Sequence, residues 1–260
     1  MGAMTYDHVL VDRDDRFTTI TMNVPERRNA LSRRHMEELI DAFRTVGETD
    51  TRGVILAGNG PVFSAGHDFA DIVGASFGEV RTLLLTCTEL MTTMQSVPQP
   101  VVARVHGTAT AAGCQLVASA DLAVASETAL FAAPGGNGGW FWTTPMVAIG
   151  RVMPRKRALE LALTGEPIDA RAAYEGGLVN SVVPPGELDA AVVALLERAT
   201  GGSLFSKGIG KQAFYNQIDL DQPKAYALAV EVMAAASQTA DGQEWMAAFL
   251  EKRPPKWLDR

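Results

Sequence analysis

Two short segments hold the residues of this chain best suited to chemistry, Phe63-Ser64-Ala65-Gly66-His67-Asp68 and Gly107-Thr108-Ala109-Thr110-Ala111-Ala112-Gly113-Cys114. Each sets small residues around a turn. Such segments can leave backbone N–H groups unpaired and aimed at a ligand oxygen, which is what stabilising a developing oxyanion requires. The same small residues equally suit close packing of a helix on a strand. Titratable groups flank the first segment: the His67 ring, with an ordinary pKa of about 6.5, and the carboxylates of Asp68, Asp71 and Glu79. Asp68 also suits a cap of the following turn, and Asp71 and Glu79 suit charges at a helix start. His106 reads as a packed residue at a strand end. Further on, Pro134-Gly-Gly-Asn137-Gly-Gly-Trp140-Phe141-Trp142 gathers aromatic side chains that suit an apolar ligand wall, core packing or subunit contacts.

The elements that position these segments alternate strand and helix. Val9 and Val11, then Phe17, Ile20 and Met22, flank a polar turn over 12–16 and predict a hairpin. Ser32 is a suitable N-cap for a helix whose Met36, Leu39, Ile40, Phe43 and Val46 share one face up to Gly47. A glycine-bounded apolar run over 53–58 predicts a buried strand, 79–95 a helix and 100–105 another strand. After the second small-residue segment a helix begins near Cys114, and short strands follow over 121–125 and 129–133. From Arg155 the pattern is helical, over 155–163, 169–175, 187–199, 222–239 and 242–252. No low-complexity linker separates the halves, so the spacing predicts one α/β domain with a helical C-terminal extension.

Composition narrows the function classes. Of 260 residues, 47% are hydrophobic and 20% charged, which excludes a disordered or fibrous chain. The net charge is 23 − 30 = −7, which disfavours phosphate-backbone binding and so a nucleic-acid partner. Cys87 and Cys114 cannot build a disulfide framework, and no His/Cys spacing suits a metal. The N-terminal residues show no basic segment followed by an apolar one, so a reducing, cytoplasmic setting is expected. The apolar stretch 101–126 is interrupted by Arg104, His106, Gln115 and Asp121 before about 20 apolar residues accumulate, so no membrane span is expected.

The ordered set Pro25-x-x-x-Asn29-Ala30-Leu31, Phe63-Ser-Ala-Gly-His-Asp68, Val105-His-Gly107, Gly113-Cys-Gln-Leu116 with Asp121, and Leu163-Thr-Gly165 with Ala172, Gly177-Leu-Val179 and Val183-Pro184 resembles the crotonase (enoyl-CoA hydratase/isomerase) family. Within it, Ala111-Ala-Gly-Cys-Gln-Leu116, Pro134-Gly-Gly-Asn-Gly-Gly-Trp140 and Leu163-Thr-Gly-Glu-Pro-Ile168 look most like the enoyl-CoA hydratase domain-containing protein 3 branch. The resemblance implies a ClpP/crotonase-like α/β spiral of ββα turns over 1–200 and a helical oligomerisation region over 201–260, assembled as a homotrimer or homohexamer. It implies acyl-coenzyme A thioesters as substrates, with no further cofactor and no metal.

By the same resemblance, the oxyanion donors are the backbone N–H groups of His67 and Ala112. The family's two catalytic glutamates fall at Gln115 and Gly135, neither of which exchanges a proton at neutral pH. General acid–base catalysis contributes about 10²–10⁴-fold, so a poor water-adding enzyme is expected. Gln115→Glu with Gly135→Glu is expected to raise hydration where the pocket geometry is otherwise intact. Isomerisation, decarboxylation, thioester hydrolysis and catalytically silent acyl-CoA binding are the alternatives. Arg27 and Arg28 are placed to meet coenzyme A phosphates, and Phe249 and Lys252 to reach the nucleotide from a neighbouring subunit. Ala30, Ala65, Asp68, Gly113 and Trp140 are further substrate-binding positions. The family's lysine after the first oxyanion residue is absent, with Asp68-Phe-Ala-Asp71 in its place.

Overall fold

In the computed structural model, which describes residues 6–259, the chain opens with the antiparallel pair β1 (Val9–Arg13) and β2 (Phe17–Met22). Their turn is closed by the Asp14 carboxylate, which accepts from the N–H groups of Arg16 and Phe17 at 2.7 and 2.6 Å. Ser32 caps α1 (Arg33–Gly47) by accepting from His35 N at 3.2 Å, and the predicted apolar face is buried.

From there the chain repeats one pattern. A long strand runs into a short one and then into a helix: β3 (Gly53–Gly58), β4 (Val62–Ser64) and α2 (Phe77–Ser96), then β5 (Val101–Val105), β6 (Thr108–Thr110) and α3 (Ala112–Ser119). The third turn is β7 (Leu122–Ser126), β8 (Leu130–Ala132), α4 (Thr143–Val152) and α5 (Arg155–Thr164). β9 (Ile168–Asp169), α6 (Ala170–Glu175), β10 (Ser181–Val183) and α7 (Leu188–Ala199) complete it. The long strands form a six-stranded sheet in the order β1-β2-β3-β5-β7-β10, and the short ones a second sheet in the order β4-β6-β8-β9. Each turn therefore adds one strand to each sheet, and the outcome is the α/β spiral that the resemblance implies.

Parallel strands covered on both faces need continuous apolar runs, which is why Gly53–Gly58 shows no polar alternation. One core cluster joins β2, β3 and β5 to α1, α2 and α3 through Met22, Leu39, Phe43, Leu56, Leu90 and Leu116. On the opposite face α7 seals Phe17, Ile55, Val102 and Val124 with Leu188, Val192 and Leu196. Three further helices end the chain, α8 (Leu204–Gln217), α9 (Gln222–Ala236) and α10 (Ala240–Leu250).

Two helices escape the periodicity reading. α4 begins in the glycine- and aromatic-rich segment after Pro134, and α8 carries Gly208 and Gly210, which weaken helix propensity. Gly208 has a packing reason, since a Cβ there would stand 3.1 Å from Pro98 Cβ. The predicted helix over 169–175 starts one residue later, with Asp169 as its cap accepting from Ala172 N at 2.7 Å.

Candidate active site

The first segment is held against the 28–31 turn by paired backbone groups. Ala65 N donates to Arg28 O at 3.0 Å, Leu31 N to Gly66 O at 2.7 Å and Asp68 N to Leu31 O at 3.3 Å. The His67 N–H takes no part in this pairing. Asn29 braces the turn from inside: its Nδ2 donates to the carbonyls of Asn59 and Val62 at 2.8 and 2.9 Å, and its Oδ1 accepts from Val24 N at 3.0 Å. Ser64 extends the brace, its Oγ donating to Asn29 O at 2.9 Å and accepting from Gly66 N at 3.2 Å.

In the second segment Ala111 N donates to Ala132 O at 2.9 Å, and Ala111 then turns the chain with φ 55° and ψ −122°. That conformation favours glycine and strains any other residue. It sets Ala112 as the first residue of α3, where helix geometry leaves the N–H without an intrahelical acceptor. The two segments touch at Gly66, whose φ is +82°. A Cβ there would stand 2.6 Å from Ala111 Cβ and 3.0 Å from Ala112 N. Among the described residues, neither His67 N nor Ala112 N donates to another protein group.

One pocket contains both. It is lined by Ala65, His67, Ala111 and Ala112, by Phe69, Leu84, Trp140, Phe141 and Trp142, and by Thr143–Pro145 of α4. The aromatic loop singled out in the sequence thus does reach a pocket. Leu84, Phe69 and the α4 residues were missed, although the proline at Pro145, in the first turn of α4, is a helix-start signal. Both ring nitrogens of His67 are buried without a hydrogen-bond partner. Burial holds the imidazole below its ordinary pKa, against the pull of the Leu31 carbonyl and the Asp71 carboxylate.

The remaining titratable candidates are held in structural roles. Asp68 Oδ1 accepts from Ala70 N at 3.0 Å, and Asp68 Oδ2 is paired with Arg27. Asp71 Oδ2 accepts from Arg33 N at 2.8 Å, and Glu79 closes a capping box with Ser76 that holds its pKa below the usual carboxylate range. His106 Nε2 lies 2.8 Å from Gly60 O at the end of β5. Arg28 is exposed on the turn at φ 55°, and the Ala30 carbonyl faces His35 Nδ1 at 3.0 Å.

Gln115 and Gly135, the positions at which the resemblance puts the family's glutamates, sit in different surroundings. Gln115 is buried on α3, where its Oε1 accepts from the Cys87 thiol at 3.8 Å, and it is not part of the pocket lining. Burial pushes both thiols, Cys87 and Cys114, up to about 12. At Gly135 a Cβ would stand 2.6 Å from the Trp142 indole, so the condition attached to Gly135→Glu, an otherwise intact pocket, is not met. Gly113 is a packing residue: a Cβ there would stand 2.3 Å from Ser64 O. Phe249, on α10, stacks on Trp245 with ring centroids 6.0 Å apart, and Lys252 follows at φ 54°; both are exposed and neither lines the pocket.

Comparison with known proteins shows the family of this chain. Residues 13–260 match the family model described as enoyl-CoA hydratase/isomerase. The rat protein named enoyl-CoA hydratase domain-containing protein 3, mitochondrial, is 42% identical over 247 residues, 94% of this chain and 82% of that one. The human protein of that name is 40% identical over 245 residues, 94% of this chain and 81% of that one. Among solved structures, an enoyl-CoA hydratase from Mycobacterium smegmatis superposes with a TM-score of 0.93 at 43% identity, covering 96% of this chain and 98% of that one. The human domain-containing protein 3 superposes with a TM-score of 0.89 at 38% identity, covering 96% and 100%. The chain, on its crotonase fold, belongs to the enoyl-CoA hydratase/isomerase family.

Proposed function

We propose that this chain is an acyl-CoA thioester enzyme in which the backbone N–H groups of His67 and Ala112 form an oxyanion hole for the thioester carbonyl. The observation that carries the reading is the junction at Gly66, which brings two undonated N–H groups to one apolar pocket. Negative charge developing on the carbonyl oxygen as an enolate forms is held by both donors, each worth about 10²–10³ in rate. The Ala111 turn and the Asn29–Ser64 brace pre-organise them, so no reorganisation is needed at the moment of reaction.

The nominal reaction is hydration of a 2-enoyl-CoA in fatty-acid metabolism, and its acid–base half is weak here. Gln115 has no titrating group and is turned to Cys87. The test is loss of conjugated-enone absorbance when the purified protein meets crotonyl-CoA, beside a glutamate-bearing hydratase and with the product confirmed by mass. Saturable binding is expected, with hydration about 10²–10⁴-fold slower than the control. Absence of saturable binding overturns the acyl-CoA reading; turnover at the control's rate overturns the assignment of Gln115 and Gly135 as the limiting positions.

The Trp142 indole beside Gly135 favours a second reading, in which the same oxyanion hole serves isomerisation, decarboxylation or thioester hydrolysis. Tight binding without turnover of any such thioester would mark a non-catalytic acyl-CoA binder. Arg27, Arg28, Phe249 and Lys252 are proposed as coenzyme A contacts, the last two across a subunit boundary. Residues 201–260 are proposed as the oligomerisation region, in support of which Phe214, Tyr226, Val230, Met233 and Leu250 are exposed. The proposed setting is the reducing cytoplasm, supported by two free, buried cysteines. Among the described residues no helix is long and apolar enough to cross a membrane.

A further inference from the structure

Gly135 lies in a loop that folds back on itself. A Cβ at this position would stand 2.6 and 2.7 Å from two indole carbons of Trp142 and 2.8 Å from Trp140 O, inside the 3.0 Å limit that real Cβ atoms respect. The indole thus occupies the space into which a side chain at 135 would project. It is held from several directions. Phe69 packs on it with ring centroids 6.3 Å apart and planes tilted by 59°. The next residue begins α4, whose Ile149 is fully buried. The other arm of the loop is seated on α5, where a Cβ at Gly136 would stand 2.3 Å from Ala162 O. With Phe69 packed against it and α4 starting at the next residue, the ring is restrained where it stands, and a side chain at 135 has to displace it.

That ring lines the same pocket as Ala65, His67 and Ala112. A thioester carbonyl held by the N–H groups of His67 and Ala112 would place its acyl group in this pocket, whose lining also includes Phe69, Trp140 and Trp142. We propose that Trp142 is the specificity-determining residue of this site, restricting the acyl group next to the carbonyl to short, unbranched chains and excluding aryl groups. The proposal rests on the acyl-CoA reading above. It also explains why position 135 is glycine: a larger residue there and the indole cannot coexist without moving the loop.

The test uses acyl-CoA ligands that hydration, isomerisation and decarboxylation leave unchanged, and mass analysis after each titration shows the thioester intact, so that hydrolysis does not enter the affinity. Butyryl-CoA, phenylacetyl-CoA and free coenzyme A are titrated calorimetrically into the wild type, Trp142→Phe and Trp142→Ala. The ratio of phenylacetyl-CoA to butyryl-CoA affinity is expected to rise by about tenfold or more in Trp142→Ala and by less in Trp142→Phe, the size that small changes of an apolar pocket produce. Free coenzyme A affinity should stay unchanged. Butyryl-CoA binding with an unchanged ratio in either variant overturns the proposal, and failure of the wild type to bind any acyl-CoA overturns the reading beneath it. A second measurement needs no ligand: Gly135→Ala should cost less stability in the Trp142→Ala background than in the wild type, and additive costs would show that the ring does not fill this space.

Discussion

At the scale of single residues, Gly66 is where one added methyl group disturbs the most. Its φ of +82° disfavours any side chain, and the Cβ would strike Ala111 Cβ at 2.6 Å and Thr110 O at 2.9 Å. Gly66→Ala is therefore expected to displace one N–H from the other and lower turnover of the best thioester substrate by about 10²-fold. Steady-state kinetics should place most of the loss in kcat, because the donors are needed as charge develops. The glutamate restoration is limited at the same scale. Gln115→Glu with Gly135→Glu is expected to lower the melting midpoint and leave hydration unimproved, since the second carboxylate has to displace the Trp142 ring. A stable double variant with raised hydration would refute this. The small-residue turns around Gly66 and Ala112 were legible in the sequence, and the proposal of His67 and Ala112 as donors came from the resemblance. That Asp68, Asp71 and Glu79 are held as caps and partners of Arg27, Arg33 and Ser76 was legible only as an option, because the acceptor roles of a carboxylate depend on which N–H groups reach it.

At the scale of elements, α1 and α8 carry buried polar groups with measurable consequences. His35 is fully buried on α1, its Nδ1 at 3.0 Å from Ala30 O, with His8 and Glu38 nearby, and burial pushes its pKa down to about 4. The unfolded chain protonates this ring below about 6.5 while the folded chain keeps it neutral. Stability is therefore complete above that pH and is lost as pH falls toward 4, by about 3 kcal/mol. Urea unfolding between pH 7.5 and 4.5 should show the slope, and His35→Phe should flatten it. On α8, Lys211 Nζ donates to Met94 O, Gln99 O and Asp121 Oδ2 at 3.0, 2.9 and 2.7 Å. Tyr215, one turn on, donates to Asp121 Oδ1 at 2.8 Å. Lys211→Met strands a buried carboxylate and is expected to cost about 3–5 kcal/mol, read from the denaturation midpoint. Helical periodicity found α1 and missed α8, because α8 is anchored by this polar cluster rather than by an apolar stripe.

At the scale of the whole molecule, the last three helices leave large apolar groups uncovered, among them Met233 at 79%, Phe249 at 72% and Leu250 at 80% exposed. Their exposure supports the proposal that this region is the oligomerisation surface. Light scattering is expected to give the mass of three or six chains, and a monomer at micromolar concentration would set the assembly aside. Single charged substitutions on this face, such as Met233→Glu, should shift the mass downward while leaving the spiral folded.

The sequence by itself determined what local physics decides. Caps such as Ser32, the apolar face of α1, the glycine-bounded strand at 53–58 and the small-residue turns at 64–67 and 111–113 each depend on neighbours a few residues away, and each is legible in the order of residues alone. Only the tertiary structure decided which atoms meet across long separations: that Gly66 abuts Ala112, that Gln115 turns to Cys87, that Lys211 reaches Asp121. It also decided that an indole fills the space beside Gly135, a contact within one loop whose shape is imposed by α4 and α5. Side-chain periodicity specifies which face of an element is buried. It carries no information on which element lies opposite, and the chemistry of this pocket depends on that.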